Sequence, residues 1–558
     1  MSRLKIAKND ISLDLFPGTS FQIDMKSPVY FGDRTPDAIP NFKAYQIRIP
    51  DTPKNRLILE KPEALDNGED LYNSSDWAIY FDDKLFATGS AKVTEARLET
   101  GYDFQFIGGL AGNLSTLKGK KMIDFEYGGD ISFVGDANVW AGIAKAGASL
   151  FSHLFPPVYM QGGVFSYINN FDPTTGFYAM DNGSTPVPMF KIRWIFDKLL
   201  EEVGYNVKGA FHSGDYAAEL EYLLLFNNAS IDRDDANMGG SPISPKLHMP
   251  DVKVTELINN VLMLFCMTPF IDERSKTLTI KANKDLLNAQ REDWTTKVDR
   301  LYNIARRITT PEKFSYTIPD ENTQSSWFEP PSPYLGDTRY PTTSDLESAI
   351  GGAAYVNHRI VTSMEAYYRT TGDNGTSLIW EPFHMVLDPY NESGETELNI
   401  NAGTLFMRPR DTTEATTWHL TPQWNGGIKY PGQGVDMIDK IALLFWRGDH
   451  DDLNGDPRPI ASNNIYDTEE NAISGANYSL LWNRSNGLYE TWWKDWIDTL
   501  NSSKTIKYNV RLNATDLENL DMSKKYLIGQ HEHFIKRLQV TLTTKEIKTA
   551  TVEMMIIQ

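Results

Sequence analysis

The sequence predicts a mixed α+β, β-rich, multidomain protein. Three observations carry that prediction. Residues 1–110 alternate apolar and polar side chains with no helix-period stripe between them. The middle holds helix-period stripes beside a hairpin pattern, and the C-terminal part returns to strands after one aromatic-rich helix. A length of 558 residues, at ~100–200 per domain, corresponds to about three or four domains.

Each element follows in order. Phe21, Ile23 and Met25 fall on one strand face, as do Tyr45, Ile47 and Ile49, and later Tyr102, Phe104 and Phe106. Turn-rich stretches at 32–37 and 81–84 separate them, so the first segment, 1–130, reads as an antiparallel sheet or small barrel. A Gly/Pro-rich connecting segment, 131–188, contains the apolar run Val139–Phe155. That run includes Lys145 and His153, stops at Pro156-Pro157 and is short for a ~20-residue membrane span. It reads as a packing helix, with a membrane-active segment as the alternative.

Ile192, Ile195, Phe196, Leu199, Leu200 and Val203 make one apolar helix stripe, which Gly204 closes at a position needing positive φ. A second helix is expected from Lys253 to Cys266, ended by Thr268-Pro269, with a hairpin over Phe270–Ala282. Together these form an α+β helix-hairpin module, 189–305. Segment 306–375, rich in Pro, Ser and Thr, is expected to be extended, and 376–475 is a Trp-rich β region. The last segment, 476–558, holds a helix over Leu488–Leu500 and strands at Ile506–Leu512, Phe534–Leu542 and Ala550–Ile557.

Composition excludes several function classes. Lys and Arg number 54 against 74 Asp and Glu, a net charge of −20, which disfavours general nucleic-acid binding and attachment to anionic lipid. One cysteine, Cys266, excludes a disulfide framework and a multi-cysteine metal site, and its apolar surroundings predict a buried structural thiol. The start, Met1–Asp10, is basic without a following apolar region, so no secretory signal is expected.

Reaction-bearing motifs fail one by one. Gly108–Lys121 is glycine-rich, but Gly119-Lys120 is followed by Lys121 and position 114 is Leu, so it is no phosphate loop. Aligning Asp452, Asn454 and Asp456 with calcium-loop ligands puts Pro457 at the glycine position and Asn463 at the terminal carboxylate position. The Asp449–Asp456 run therefore reads as a hairpin loop. His531 and His533 have strand spacing but no completing ligands and read as surface residues; His153, His212, His248, His358, His384, His419 and His450 are scattered. No catalytic, cofactor-binding or metal-binding residues are assigned. Eight of 13 tryptophans lie between Trp380 and Trp496, where Trp492 and Trp496 have the i, i+4 spacing of a buried helix face.

Three stretches carry a resemblance. Ser27-Pro28 with Tyr45–Leu59, including Pro50-Asp-Thr-Pro-Lys-Asn55, forms the first. Phe190–Gly204 with Leu257–Ala282 forms the second. Gly487–Trp496, Val510–Leu517, Leu520-Asp521 and Val552-Glu553 form the third. In this order they resemble the tail-tip or baseplate hub proteins of tailed phages and prophages of Bacteroidetes. The family pattern does not include Val139–Phe155 or the Trp-rich region after Tyr355.

The resemblance implies a non-enzymatic structural virion protein with antiparallel β-barrel-like tube domains and α+β inserts. It implies a homo-oligomer, a trimer favoured over a hexamer, made in the host cytoplasm and joining the tail tube protein to tip or spike proteins. The acidic balance then suits a wall that repels passing DNA. The competing expectations are a receptor- or carbohydrate-binding tail protein, using the Trp-rich region, and a tail-associated glycan hydrolase.

Overall fold

The computed structural model describes residues 3–31, 42–44, 47–59, 73–97, 100–108, 117, 119–131, 151–160, 167–172, 177–178, 186–231, 242–272, 275–305, 313–316, 358–361, 366–370, 380–383, 397–409, 420–424, 427–429, 437–451, 457–465, 472–481 and 486–557. The fold is mixed α+β and dominated by strands.

Alternating side chains at the two ends of the chain build one curled, 14-stranded sheet. From its Ile11–Ser12 edge it runs through Leu4–Lys8, Asn73–Phe81, Lys84–Arg97, Gly101–Gly108, Phe42–Ala44 and Ser20–Lys26. It then passes directly to His531–Thr543, Ala550–Ile557, Lys504–Val510 and Val298–Ala305. The seam is antiparallel, from Ser20 opposite Thr543 to Lys26 opposite Arg537. At the tight turn after Phe81, Asp82 and Asp83 take φ of 51° and 60°, the left-handed pair that matches strand twist in a two-residue hairpin.

Phe21, Ile23, Trp77, Ile79, Phe104 and Phe106 share one core with Leu538, Val540, Leu542 and Val552. On the paired C-terminal strands, Ile535 and Met554 face that core, while Phe534 and Met555 face a second, larger one. The sheet is thus buried on both faces where the ends of the chain meet.

The second core belongs to a middle unit of mostly short strands and several helices, two of them of 11 residues. One helix, Ile192–Glu202, ends as expected: Gly204 has φ 78°, its N–H bonds Glu201 O, and Tyr205 N–H bonds Leu200 O. The other, Val254–Leu264, ends differently from the expectation. Cys266 at φ 47° closes it, and Pro269 lies inside the following strand, Met267–Asp272, opposite Ile280. That strand pairs with Thr277–Ala282, and Asn206–Gly209 adds in parallel. Gly209 is required there, since φ is 96° and a Cβ would lie 2.0 Å from Ile280 O.

Other departures have physical causes. Met25 is only half-buried, while Asp24 is buried because Arg537 pairs with it across the seam. The expected helix over Leu488–Leu500 is a π-helical turn, Tyr489–Trp493, continued by the α-helix Lys494–Ser502. Residues 139–150 of the apolar run lie outside the described residues, and its end, His153–Leu154, is a strand. Of segment 306–375, only the strands Lys313–Tyr316, His358–Val361 and Ala366–Thr370 are described. No helix among the described residues is long and apolar enough to cross a membrane.

Candidate functional site

The motif residues near the N-terminus form a structural joint. Pro50 follows the strand Ile47–Ile49, and Thr52 caps the helix Pro53–Ile58, its Oγ1 accepting from Asn55 N–H at 3.1 Å. Thr52 also donates to Asp14 Oδ2 at 2.8 Å. Asn55 is fully buried: its amide donates to Pro50 O and Asp14 O and accepts from Asp14 N–H. Asp51 accepts from Arg56 and from the Tyr102 hydroxyl. Nearby, Ser27 is buried and donates its N–H to Lys536 O at 2.9 Å, tying the Ser27-Pro28 segment to the C-terminal strand. At the other end, Asn513 and Asp516 cap each other's backbone N–H on the helix Ala514–Glu518, and Lys297 bonds Asp516 at 2.9 Å. Sequence reading quoted these residues without seeing that they fasten loops.

The aromatic helix packs in the second core, between the middle unit and the sheet face that carries Phe534. Trp496 donates to Tyr30 O at 2.8 Å and packs against Phe31 and Phe534. Trp493 meets Tyr30 edge-on and donates to Leu264 O. Trp492 lies among Tyr216, Phe265 and Tyr478, with the Lys284 ammonium 5.2 Å from its ring. Trp424 and Trp446 are also buried. Five of the eight clustered tryptophans are therefore core residues; the side chains of Trp380, Trp418 and Trp482 lie outside the described residues.

A buried charge network was invisible in the sequence because its members are distant. Arg447 pairs with Glu219, both nearly inaccessible. Its other donors meet Asn464 O and Tyr478 O, and Glu219 accepts the N–H groups of Asn477 and Tyr478. Every branch holds a loop.

The histidines divide. His531 is exposed, but His533 is buried, correcting the surface expectation for this pair; its ring nitrogens meet Tyr508 OH at 3.1 Å and Tyr526 O at 3.3 Å. His212 pairs with Asp197 at 2.7 Å, and His450 bonds Arg447 O. His153 and His248 are buried, and both rings lie near Phe190. His358 lies in a described strand, but its side chain, like His384 and His419, is outside the described residues.

Cys266 is buried as expected. Burial pushes its thiol well above the ordinary range, and the Asn283 amide, 3.5 Å from Sγ, offsets this only in part. Of the Asp449–Asp456 run, expected to be a loop, Asp449–Asp451 end the strand Ile441–Asp451 and pair with Pro457–Pro459, and 452–456 lie outside the described residues. Among the described residues no three His, Cys, Asp or Glu side chains gather as a metal site.

No protein-family model matches this chain, and no curated protein sequence matches it. Among solved structures it is similar to the 43 kDa tail protein of prophage MuSo2 from Shewanella oneidensis. That likeness spans 99% of this chain and 96% of that one, at 8% identity and a TM-score of 0.33. At that score it carries no argument about function.

Proposed function

We propose that this chain is a non-enzymatic structural subunit of a phage tail, a hub that joins the tail tube to the distal tip or spike. One observation supports the reading above others: the hub-like segments at opposite ends of the sequence meet in one curled antiparallel sheet. Ser27, Pro50–Asn55, Val510, Asn513–Asp516 and Val552 all belong to that sheet or its fastenings. A β domain assembled from both ends, with the rest of the chain inserted, suits a subunit that stacks one part on a tube and projects another.

The partners are further copies of this chain in a trimer, the tube protein above and tip or spike proteins below. The net charge of −20 serves a conduit wall that repels DNA phosphate. The test is co-expression of the full chain with its tube protein, followed by imaging of the particles. Axial threefold rings with an acidic inner surface are expected. A stable monomer with no affinity for tube protein, or a basic channel, overturns the reading.

A further inference from the structure

We propose that His153, Phe190 and His248 form an acid-sensitive latch in the middle unit. His153 begins the strand His153–Leu154, which pairs with Met189–Lys191 so that Phe190 lies opposite it. His248 ends the turn Pro245–His248 and approaches the same ring from another element. The centroid distances to Phe190 are 5.3 Å for His153 and 6.4 Å for His248, and both imidazoles are 4% exposed. Three separate segments are thus held at one phenylalanine.

The hydrogen bonds specify what protonation does. His248 Nδ1 faces Ala229 O at 3.0 Å; a carbonyl only accepts, so this nitrogen carries the proton in the neutral ring. His153 Nδ1 faces the Ser152 hydroxyl at 3.0 Å, while its Nε2 is buried without a partner. In the imidazolium both nitrogens carry protons, so the charged His153 holds a buried Nε2–H with no acceptor among the described residues.

Charges on the packed elements give no relief. Lys191 and Arg193 follow Phe190 and share Glu221 at 3.8 and 3.9 Å. Lys246 on the turn pairs with Glu126. The Asn227–Ile231 stretch has no titratable side chain, and Tyr127 and Tyr222 stay neutral because burial raises both hydroxyls. Burial holds each imidazole at about 4, and for His153 the neighbouring His248 adds repulsion. Burial holds His533 at about 4 as well, and the contrast is one of partners: each of its ring nitrogens faces an oxygen that can accept from the imidazolium.

Hydrogen exchange on the full chain between pH 7 and 4.5, corrected for intrinsic rates, tests the latch. Each ring whose proton uptake is linked to opening raises the opening constant about tenfold per pH unit below its unfolded value. Peptides over 152–155, 188–191 and 245–249 are expected to lose protection in this range ahead of 531–543, where His533 keeps an oxygen partner at each ring nitrogen. His153→Phe removes one titrating ring and keeps an aromatic; His248→Asn keeps a donor for Ala229 O. Each is expected to flatten the pH dependence. Unchanged protection at pH 4.5, loss across the whole chain at one pH, or an unaltered slope in both variants overturns the latch. Should the variants not fold, ring NMR of the wild type decides: opening while both rings remain neutral also overturns it.

Discussion

The end-built sheet and the middle unit reach closure by opposite means. In the sheet, long paired strands satisfy backbone groups with one another, so the core can be almost wholly aliphatic and aromatic. Its seam charge pair, Asp24 with Arg537, sits at the rim with the arginine 38% exposed. The middle unit sets one long strand, Ile441–Asp451, among strands of two to six residues, so much of its backbone lies in loops outside the ladders. Side chains supply the missing partners. Asn169 bonds Pro156 O and both backbone groups of Val187, and Asn228 bonds Gly427 O and Ile438 N–H. Arg447 and Glu219 do the same with charge. Where ladders are short, buried polar side chains replace them, and each such group becomes a point of failure.

Trp496→Ala is the largest expected perturbation, because its indole packs on Phe31 and Phe534 and bonds the Tyr30 carbonyl. Loss of about 3–5 kcal/mol is expected from a buried aromatic truncation. Calorimetry should show two transitions where one is expected for the wild type, since this helix packs the middle unit against the sheet strand that carries Phe534. A single transition at a lower temperature would mean that the sheet faces alone couple them.

Glu219→Ala comes next. It leaves Arg447 buried and unpaired, at about 3–5 kcal/mol. Adding Arg447→Met should recover much of that loss in urea unfolding. The matching seam change, Asp24→Ala, should cost ~1 kcal/mol, because Arg537 can turn to water. Equal costs at the two sites would break the contrast between a rim pair and an interior one.

Acid weakens the seam pair and the histidine pair over different pH windows. Burial raises the Asp24 carboxyl, but hydrogen bonding and charge from Arg537 outweigh this and hold it below its usual 3.8. Its stabilisation is therefore present above 3.8 and lost only as pH falls through the lower folded value. His153 and His248 lie below their unfolded 6.5, so their contribution is complete above 6.5 and declines from there toward 4. His533 on the sheet is also held at about 4, but its ring nitrogens keep oxygen partners when charged. Fluorescence-detected acid titration should therefore show the middle unit loosening before the seam. Asp24→Asn should change only the later phase.

The same difference decides what the sequence discloses. Period-two alternation at Phe21 and Ile23, or Ala550–Ile557, exposes strand and face directly, as does the stripe from Ile192 to Leu200. Local capping at Gly204 was equally legible. That residues 20–26 pair with 537–543 was not, because no local rule links positions more than 500 apart. Glu219 with Arg447, and His153 with His248, stayed hidden for the same reason. The burial of Asp24 was not legible, because alternation assigns a face by hydrophobicity and a paired carboxylate can occupy a buried position. Pro269 misled through its usual role: at a strand position it ends no helix.

The smallest effect tests the joints that carry the sequence resemblance. Thr52 caps one helix turn and bonds Asp14, in a part-exposed setting where water can replace either contact. Thr52→Ala should cost ~1 kcal/mol, and Thr52→Ser should restore most of it by keeping the hydroxyl. Asn55→Ala at the same joint should cost more, since it strands Pro50 O, Asp14 O and Asp14 N–H around a fully buried amide. Comparing the three by thermal melting separates a helix cap from a loop clamp. If Asn55→Ala is as mild as Thr52→Ala, the motif acts through the cap alone. The sheet unit would then depend on side-chain clamps even less than its long ladders imply.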